Sequence, residues 1–476
     1  VPEGITINGN VFLQPFNGGE ISLEAKNGNI FTGGLYSFSD SEFDNAANGG
    51  AINLKADNGS ITTGDLFSFS YSEFGNAGNG GGITFTAEDS ITTQDLESFS
   101  IGRKNAGNGG AINITTGGNF TSQDSLSISF TEDNALNGGA ITLTAGGNIT
   151  TQNLFSRSRS EDKALNGGAV KFNAFGNIIT GGINTESFGN GNGGDITLTS
   201  IAGNIDTTQG TVTSQIKNNF GENRRAGNIS FTSGGDIQIA EVNSSGWAEF
   251  DAGNVSLKAD GNIILGSDAS ITSYGGVAGN ITLESNGDIF LTGTSLQDNK
   301  GRVKLSSTSY FPDASSGELT GGAITISGDS ISIKNSDFRT GTYGAANVGA
   351  MSLNARSRLY LENVDIFSNA SVSASNTTNI ESNIAPMKVN ADSIVFRNTD
   401  IHRRSNQGKV GSITLTAARN IELGDTSYIS NLFFDSDPAT DRREGSEVVT
   451  VTSESIVMNN SGIQSNGNQG GNAGVS

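Results

Sequence analysis

Cysteine is absent from the 476 residues, which excludes a disulfide scaffold and a thiolate metal site. It also leaves an exported chain free to cross a membrane unfolded, since no disulfide can form prematurely. There is one histidine, too few for an imidazole-rich zinc centre. Only 5 prolines stand beside 67 glycines, and no Gly-X-Y period runs through them, so collagen is excluded. No segment approaches the roughly eighteen consecutive apolar residues of a bilayer span, so membrane insertion is not expected. Basic residues are scarce. Lys and Arg number 27 against 48 Asp and Glu, for a formal net charge of −21. That balance argues against nucleic acid, whose phosphates need Lys and Arg, and against anionic lipid. No signal peptide is present, and the chain starts at Val1 rather than Met. It stops at Gly474-Val475-Ser476, in an Asn/Gly-rich turn where another strand is expected. We read it as a mature piece or an excised segment, cut inside a repeat.

What is present is a repeat. Hydrophobic residues make up 34% of the chain, enough for a thin core, and they recur at fixed spacings rather than being diluted as in a disordered chain. An Asn-Gly-Gly turn opens each copy. One runs Asn48-Gly49-Gly50-Ala51-Ile52-Asn53-Leu54-Lys55-Ala56 and the next Asn79-Gly80-Gly81-Gly82-Ile83-Thr84-Phe85-Thr86-Ala87. Others start at Asn108, Asn137 and Asn166, about 29 to 31 residues apart. Looser copies are placed at Ile196, Ile229, Val255, Ile281, Val303, Ile324, Met351, Met387, Ile413 and Val449. Apolar and polar residues alternate with period two, the signature of a strand. Stacking the copies gives three inward columns, headed by Ile52, Leu54 and the small Ala56. A second strand follows at Ile61, Ile91, Phe120 and Ile149, and a third at Leu35, Leu66, Leu96, Ser125, Leu154 and Ile183.

Three short strands per repeat predict an all-β, right-handed parallel β-helix (β-solenoid) of about sixteen coils. At the parallel strand spacing it would be a rod roughly 75 Å long. One continuous solenoid is expected over residues 1–476, regular over 17–200 and looser over 201–476. An α-solenoid is excluded by the lack of helical periodicity, and a propeller by the short repeat. Asn17, Asn48, Asn79, Asn108, Asn137, Asn166 and Asn192 are expected to stack as an amide ladder, in turns whose backbone can be left-handed.

The third strand reads two ways. In Leu66-Phe67-Ser68-Phe69-Ser70-Tyr71, either the aromatics are core, after a shift of phase at a bulge, or they form an exposed or loop-covered stripe. The column Phe38, Phe69, Phe99, Ile128, Arg157, Glu186 ends in charges that would be costly inside. Three long excursions, near Ser306–Gly321, Phe367–Pro386 and Asn431–Glu447, carry Tyr310, Phe311, Phe433, Phe434, Asp435, Asp437, Asp441, Arg442 and Arg443. Loops on a rigid scaffold are where specificity commonly sits.

The run Asn137 to Thr151, Asn-Gly-Gly-Ala-Ile-Thr-Leu-Thr-Ala-Gly-Gly-Asn-Ile-Thr-Thr, resembles the repeats of filamentous-haemagglutinin-like exoproteins, in the form common in cyanobacteria. The resemblance covers most of the chain and is strongest from Asn17 to Ser200. It implies a right-handed parallel β-helix, export through an outer-membrane partner pore (two-partner secretion), and roles in adhesion, surface filaments or contact-dependent toxin delivery. The family's Asn-Pro-Asn-Gly-type secretion motif does not occur, and no toxin domain is visible.

Three stretches carry residues of the kinds that do chemistry. Asn398-Thr399-Asp400, followed by His402, Arg403 and Arg404, superficially resembles a pectin-hydrolase motif, but neighbouring copies do not supply its paired Asp or Gly-His-Gly, so structural or surface charge is expected. Gly189 to Asp195 faintly resembles a calcium-binding nonapeptide, and a plain turn is expected there. The Thr-X-Thr rows Thr84/Thr86, Thr142/Thr144 and Thr197/Thr199 suggest an ice-binding array, but Lys55, Lys171, Asn173, Lys258 and Glu284 interrupt it. No catalytic, metal or cofactor residue is assigned, calcium being a weak possibility. The expected function is a secreted or surface-displayed adhesin shaft binding cell-surface glycans or matrix, not an enzyme. The alternative is a filament, since Gly4–Ile7, Val11–Leu13 and the C-terminal turn do not read as caps and could dock head to tail.

Overall fold

The structure, a computed structural model, describes residues 4–13, 18–217, 224–246, 250–294, 301–311, 321–344, 346–371, 383–405, 408–433 and 448–466. Among them there is no helix, and the strands stack in parallel as a β-solenoid. The chain divides into two compact units, Val1–Gly235 and Asp236–Ser476.

In the first unit each coil has three sides. The first side is the strand that follows the Asn-Gly-Gly turn. Ile21–Ala25, Ile52–Ala56, Ile83–Ala87, Ile112–Thr116, Ile141–Ala145 and Val170–Ala174 pair in register, like residue on like. The expected inward columns hold: Ile52, Ile83, Ile112 and Ile141 are fully buried, as are Leu54, Phe85, Ile114 and Leu143. Burial of each such side chain stabilises by about 1.5–3 kcal/mol. The second side is short, as in Ile61–Thr62 and Ile91–Thr92. The third side comprises Leu35–Ser41, Leu66–Ser72, Leu96–Gly102, Ser125–Phe130, Leu154–Arg159 and Ile183–Phe188, starting where the sequence placed it. A fourth set of two-residue strands, Asn76–Ala77, Asn105–Ala106, Asn134–Ala135 and Lys163–Ala164, forms a small separate sheet that the repeat pattern did not suggest.

The Asn ladder is present from Asn48 onward, and Asn17 lies outside the described residues. Each side-chain oxygen accepts the backbone N–H of the next Asn: Asn79 and Asn108 donate at 2.8 Å, Asn137 and Asn166 at 3.1 Å, Asn192 at 2.8 Å. These turns are not left-handed. Positive φ at Asn falls instead in the second unit, at Asn335, Asn363, Asn398 and Asn460.

The two glycines of the motif have a steric reason. The third strand brings a buried hydroxyl against the turn of its own coil: Ser68 donates to Gly50 O at 2.6 Å, Ser98 to Gly81 O at 2.7 Å, Ser127 to Gly110 O at 2.8 Å and Ser156 to Gly139 O at 2.7 Å. A Cβ on Gly110 would lie 2.6 Å from the Gly81 carbonyl carbon, with its oxygen and the Ser98 hydroxyl closer still. The serine row therefore seals the corner where the first and third sides meet.

In the second unit the second and third sides fuse into long strands such as Ile263–Gly275, Ile331–Gly344 and Arg358–Ser371. One left-handed residue turns the corner within each: Asp268, Asn335 and Asn363. The coil count is lower than sixteen. Val303 is one cause. Strand Val303–Phe311 pairs with the third-side halves of Ile263–Gly275 and Ile331–Gly344, so it is not a first-side copy. Alternation alone does not say which side a strand belongs to. The excursions also begin later than expected. Ser306–Phe311, Phe367–Ser371 and Asn431–Phe433 are still strand. Phe434, Asp435, Asp437, Asp441, Arg442 and Arg443, and the side chains of Phe311 and Phe433, lie outside the described residues.

Candidate functional site

The outward faces carry what chemistry the molecule has, and the third side carries most of it. In the first unit the serines point in and the aromatics point out. Ser37, Ser68, Ser98, Ser127 and Ser156 are fully buried, whereas Tyr36, Phe38, Phe67, Phe69 and Phe99 are only half-buried. The reading of these aromatics as core is thus overturned and the stripe is found, with no change of phase. The physical reason is the corner just described, which needs a small hydroxyl and has no room for a ring.

The rings stack along the coil direction. Phe12–Tyr36 centroids are 4.5 Å apart and Tyr36–Phe67 5.2 Å; Phe38–Phe69 are 5.1 Å apart and Phe69–Phe99 5.0 Å, with planes within 13° of parallel. Further along, Arg157 lies 4.3 Å over the Phe155 ring and Arg159 5.7 Å over Phe130. Glu97 sits among these apolar neighbours. Burial pushes its carboxyl up to about 7, with Asp95, Asp65 and Asp124 adding to the shift.

In the second unit the third side displays a column that sequence inspection missed. Asp337, Asp365 and Asp400 are in register on successive coils. The expectation that neighbouring coils lack a carboxylate to pair with Asp400 is therefore corrected. The spacings of 28 and 35 residues hid the match; only the register reveals it. Buried Arg302 bridges two of the three, 2.8 Å from Asp337 and 2.9 Å from Asp365. It also donates to Ser336 O at 2.8 Å. Burial holds the Asp365 carboxyl above its usual range, helped by Asp337 and Asp400, while Arg302 opposes the shift.

The residues around Asp400 have separate tasks. Asn398 is a left-handed corner residue whose amide donates to Asn363 Oδ1 at 2.8 Å. His402 Nδ1 is 2.7 Å from Ser430 Oγ, and its Nε2 is 4.0 Å from Asp400. Arg403 turns inward and is fully buried, in the column of Thr340 and Ser368. It donates to Gly411 O at 2.8 Å, Ser412 O at 3.0 Å and Ala385 O. It thus does with a guanidinium what serine does in the first unit. Arg404 stays outside, over the Phe367 ring.

The remaining candidates resolve into structure. Asp195 accepts the Asn228 N–H at 2.7 Å, and Arg224 donates to Gly189 O at 2.7 Å, which sets a cation against that loop. Among the described residues no three His, Asp or Glu side chains converge on a point that could hold a metal ion. Thr84, Thr86, Thr142, Thr144, Thr197 and Thr199 do point outward, in columns broken by Lys55, Lys171 and Asn173. Comparison of the chain with protein-family models, with curated proteins and with solved structures returned no match.

Proposed function

We propose that this chain is a shaft of a secreted or surface-displayed adhesin, holding binding surfaces away from a cell and engaging glycans or matrix on other surfaces. One observation carries the reading: the described coils commit their side chains to stacking. Apolar columns, the Asn ladder and the buried hydroxyl row repeat from coil to coil, while the outward columns vary and are free to bind. The resemblance to exported haemagglutinin-like repeats supports passage through an outer-membrane partner pore, and the charge of −21 suits a solvated extracellular surface. Beads coated with the intact protein should be retained on cell, glycan-array or matrix-protein surfaces. Retention no greater than that of an equally acidic control protein on all of them would defeat the proposal. End-to-end assembly into filaments is the alternative, and fibres growing with concentration would favour it.

A second reading rests on the Asp337, Asp365 and Asp400 column. Asp365 and Asp400 lie in register on adjacent coils, both side chains reached by solvent and His402 beside Asp400, and paired carboxyl groups are what polysaccharide hydrolysis uses. Release of ends from pectic, alginate-like or chitin-like polymers, lost in Asp400→Asn, would support it. No release above background would remove it.

A further inference from the structure

The outward third side of the first unit is an apolar face with a symmetric charge pattern. Seven strands stack in register there, from Val11–Leu13 to Ile183–Phe188, and Leu96–Gly102 is the middle one. One outward column runs Asp40, Tyr71, Ile101, Phe130, Arg159. Its carboxylate lies two coils before the middle and its guanidinium two coils after. Asp40 is exposed and makes no hydrogen bond or ion pair among the described residues. The guanidinium of Arg159 lies over the rings of Phe130 and Phe188 and has no carboxylate partner among the described residues.

We propose that two copies of this chain pair face to face through this side, with their stacks antiparallel and a two-fold axis running along strand Leu96–Gly102. Such an axis keeps each column opposite itself and reverses the coil order. Asp40 then meets Arg159 of the second copy, twice per dimer. Tyr71 meets Phe130, and Ile101 meets Ile101. In the neighbouring column Phe69 meets Ile128, and Phe99 meets Phe99. A parallel or shifted pairing would set Asp40 against apolar side chains.

Area and ring geometry agree. Five coils at the strand spacing by three columns give a patch of roughly 24 by 20 Å, about 500 Å² per copy. That is within the roughly 300–600 Å² of the largest patch on a typical monomer, a size that is often functional, and a pair buries about the minimum of a specific interface, about 1,000 Å². The stacked rings turn their faces to one another and their edges outward. Sugars need a free ring face to stack on, so another apolar protein surface fits better. Glu97 meets its own copy at the centre, with Phe67 and Leu126 beside it in the column and Asp65, Asp95 and Asp124 at the adjoining turn. Its carboxyl protonates near neutrality, so the central contact need not be two charges.

The test uses the full chain. Sedimentation should show a concentration-dependent dimer. Asp40→Arg alone and Arg159→Asp alone should each weaken it about tenfold or more, because each places two like-charged pairs in the interface. Mixing the two variants should restore association, since both cross-pairs are then complementary. The chain has no cysteine, so Ile101→Cys should form a disulfide-linked dimer on mild oxidation, whereas Thr142→Cys on the first side should not. A protein that stays monomeric at high concentration overturns the proposal. So does a dimer that ignores the charge reversals, or one in which the mixture stays as weak as its components.

Discussion

Two adjacent glycines should respond in opposite ways to the same added methyl group. A Cβ on Gly81 would lie 2.6 Å from the Gly50 carbonyl carbon, with the Gly50 oxygen and the Ser68 hydroxyl closer still. Most of those atoms are backbone, so no rotamer relieves the conflict. The coils must separate locally and the Ser68–Gly50 hydrogen bond is lost. Overpacking costs about 1–3 kcal/mol and the buried bond about 1 more, so Gly81→Ala should destabilise by ~2–4 kcal/mol. At Gly82 the nearest atom to a Cβ is Ala111 O at 3.6 Å, an ordinary contact. Its backbone is not left-handed, and the corresponding residues Ala51, Ala111, Ala140 and Ala169 are already alanine. Gly82→Ala should therefore be neutral or gain about 0.4–1 kcal/mol by restricting the unfolded chain. Urea denaturation measures the gap, and hydrogen exchange locates it. Loss of protection should centre on Leu66–Ser72 and Ile83–Ala87, because a repeat array feels damage mainly in neighbouring coils. Equal losses for the two variants, or a silent Gly81→Ala, would refute the packing of hydroxyl row against turn.

Three other expectations follow from the same geometry. Ser98 donates to Gly81 O at 2.7 Å and accepts from the Gly110 N–H at 2.9 Å, so Ser98→Ala should cost ~1–3 kcal/mol in urea melts. Ile112→Asp should cost several kcal/mol by placing an unpaired charge in the core, while the outward Thr142→Asp should stay within about 0.5 kcal/mol; equal thermal shifts would contradict the strand phase. The folded-state pKa of Glu97 is raised from 4.5 to about 7, so the folded state holds the proton more tightly, and stability is fullest below about 4.5 and falls as pH rises to about 7. In dilute solution Glu97→Gln should abolish that slope and gain ~1–2 kcal/mol at about pH 8, allowing for solvent screening; an unchanged slope would reject the assignment.

Much of the fold was legible because a solenoid repeats its own answer. Asn48, Asn79 and Asn108 mark one turn three times, and the Ile52 and Leu54 columns follow from alternation alone. The orientation of the third strand was also present in the sequence, though easy to underweight. Strands in register keep a column on one face unless a bulge intervenes, so Arg157 in the Phe38 column sets Phe38, Phe69 and Phe99 outward with it. The partner of each buried serine could not be read, because it lies 17 or 18 residues back, across a corner. Val303 was misplaced because one side's alternation looks like another's. The Asp337, Asp365 and Asp400 column was invisible for a different reason. Its members are separated by unequal insertions, so their alignment exists only in the stack.

Binding information in such a molecule has to reside where coils are allowed to differ. Inward columns tolerate little variety: Ile, Leu, Phe and Val alternate with small residues, and a single polar stand-in such as Arg403 needs three backbone carbonyls to settle it. Outward columns obey no such restriction. The one beginning at Asp40 passes through tyrosine, isoleucine, phenylalanine and arginine in successive coils without disturbing the register beneath it. The parallel stack turns this variation into geometry, since each substitution moves a chemical group by one strand spacing, about 4.8 Å, along a fixed line. Recognition by the outward third side should then depend on the order of residues along a column rather than on their number. Exchanging Asp40 with Arg159 preserves composition and net charge and also preserves the antiparallel complement. Exchanging Tyr71 with Arg159 preserves composition too, but sets Arg159→Tyr opposite Asp40 and Tyr71→Arg opposite Phe130. The first exchange should leave self-association within about threefold of the parent and the second should weaken it by about tenfold or more. No loss from either would mean that composition, not order, governs the face, and the same loss from both would refute the antiparallel pairing.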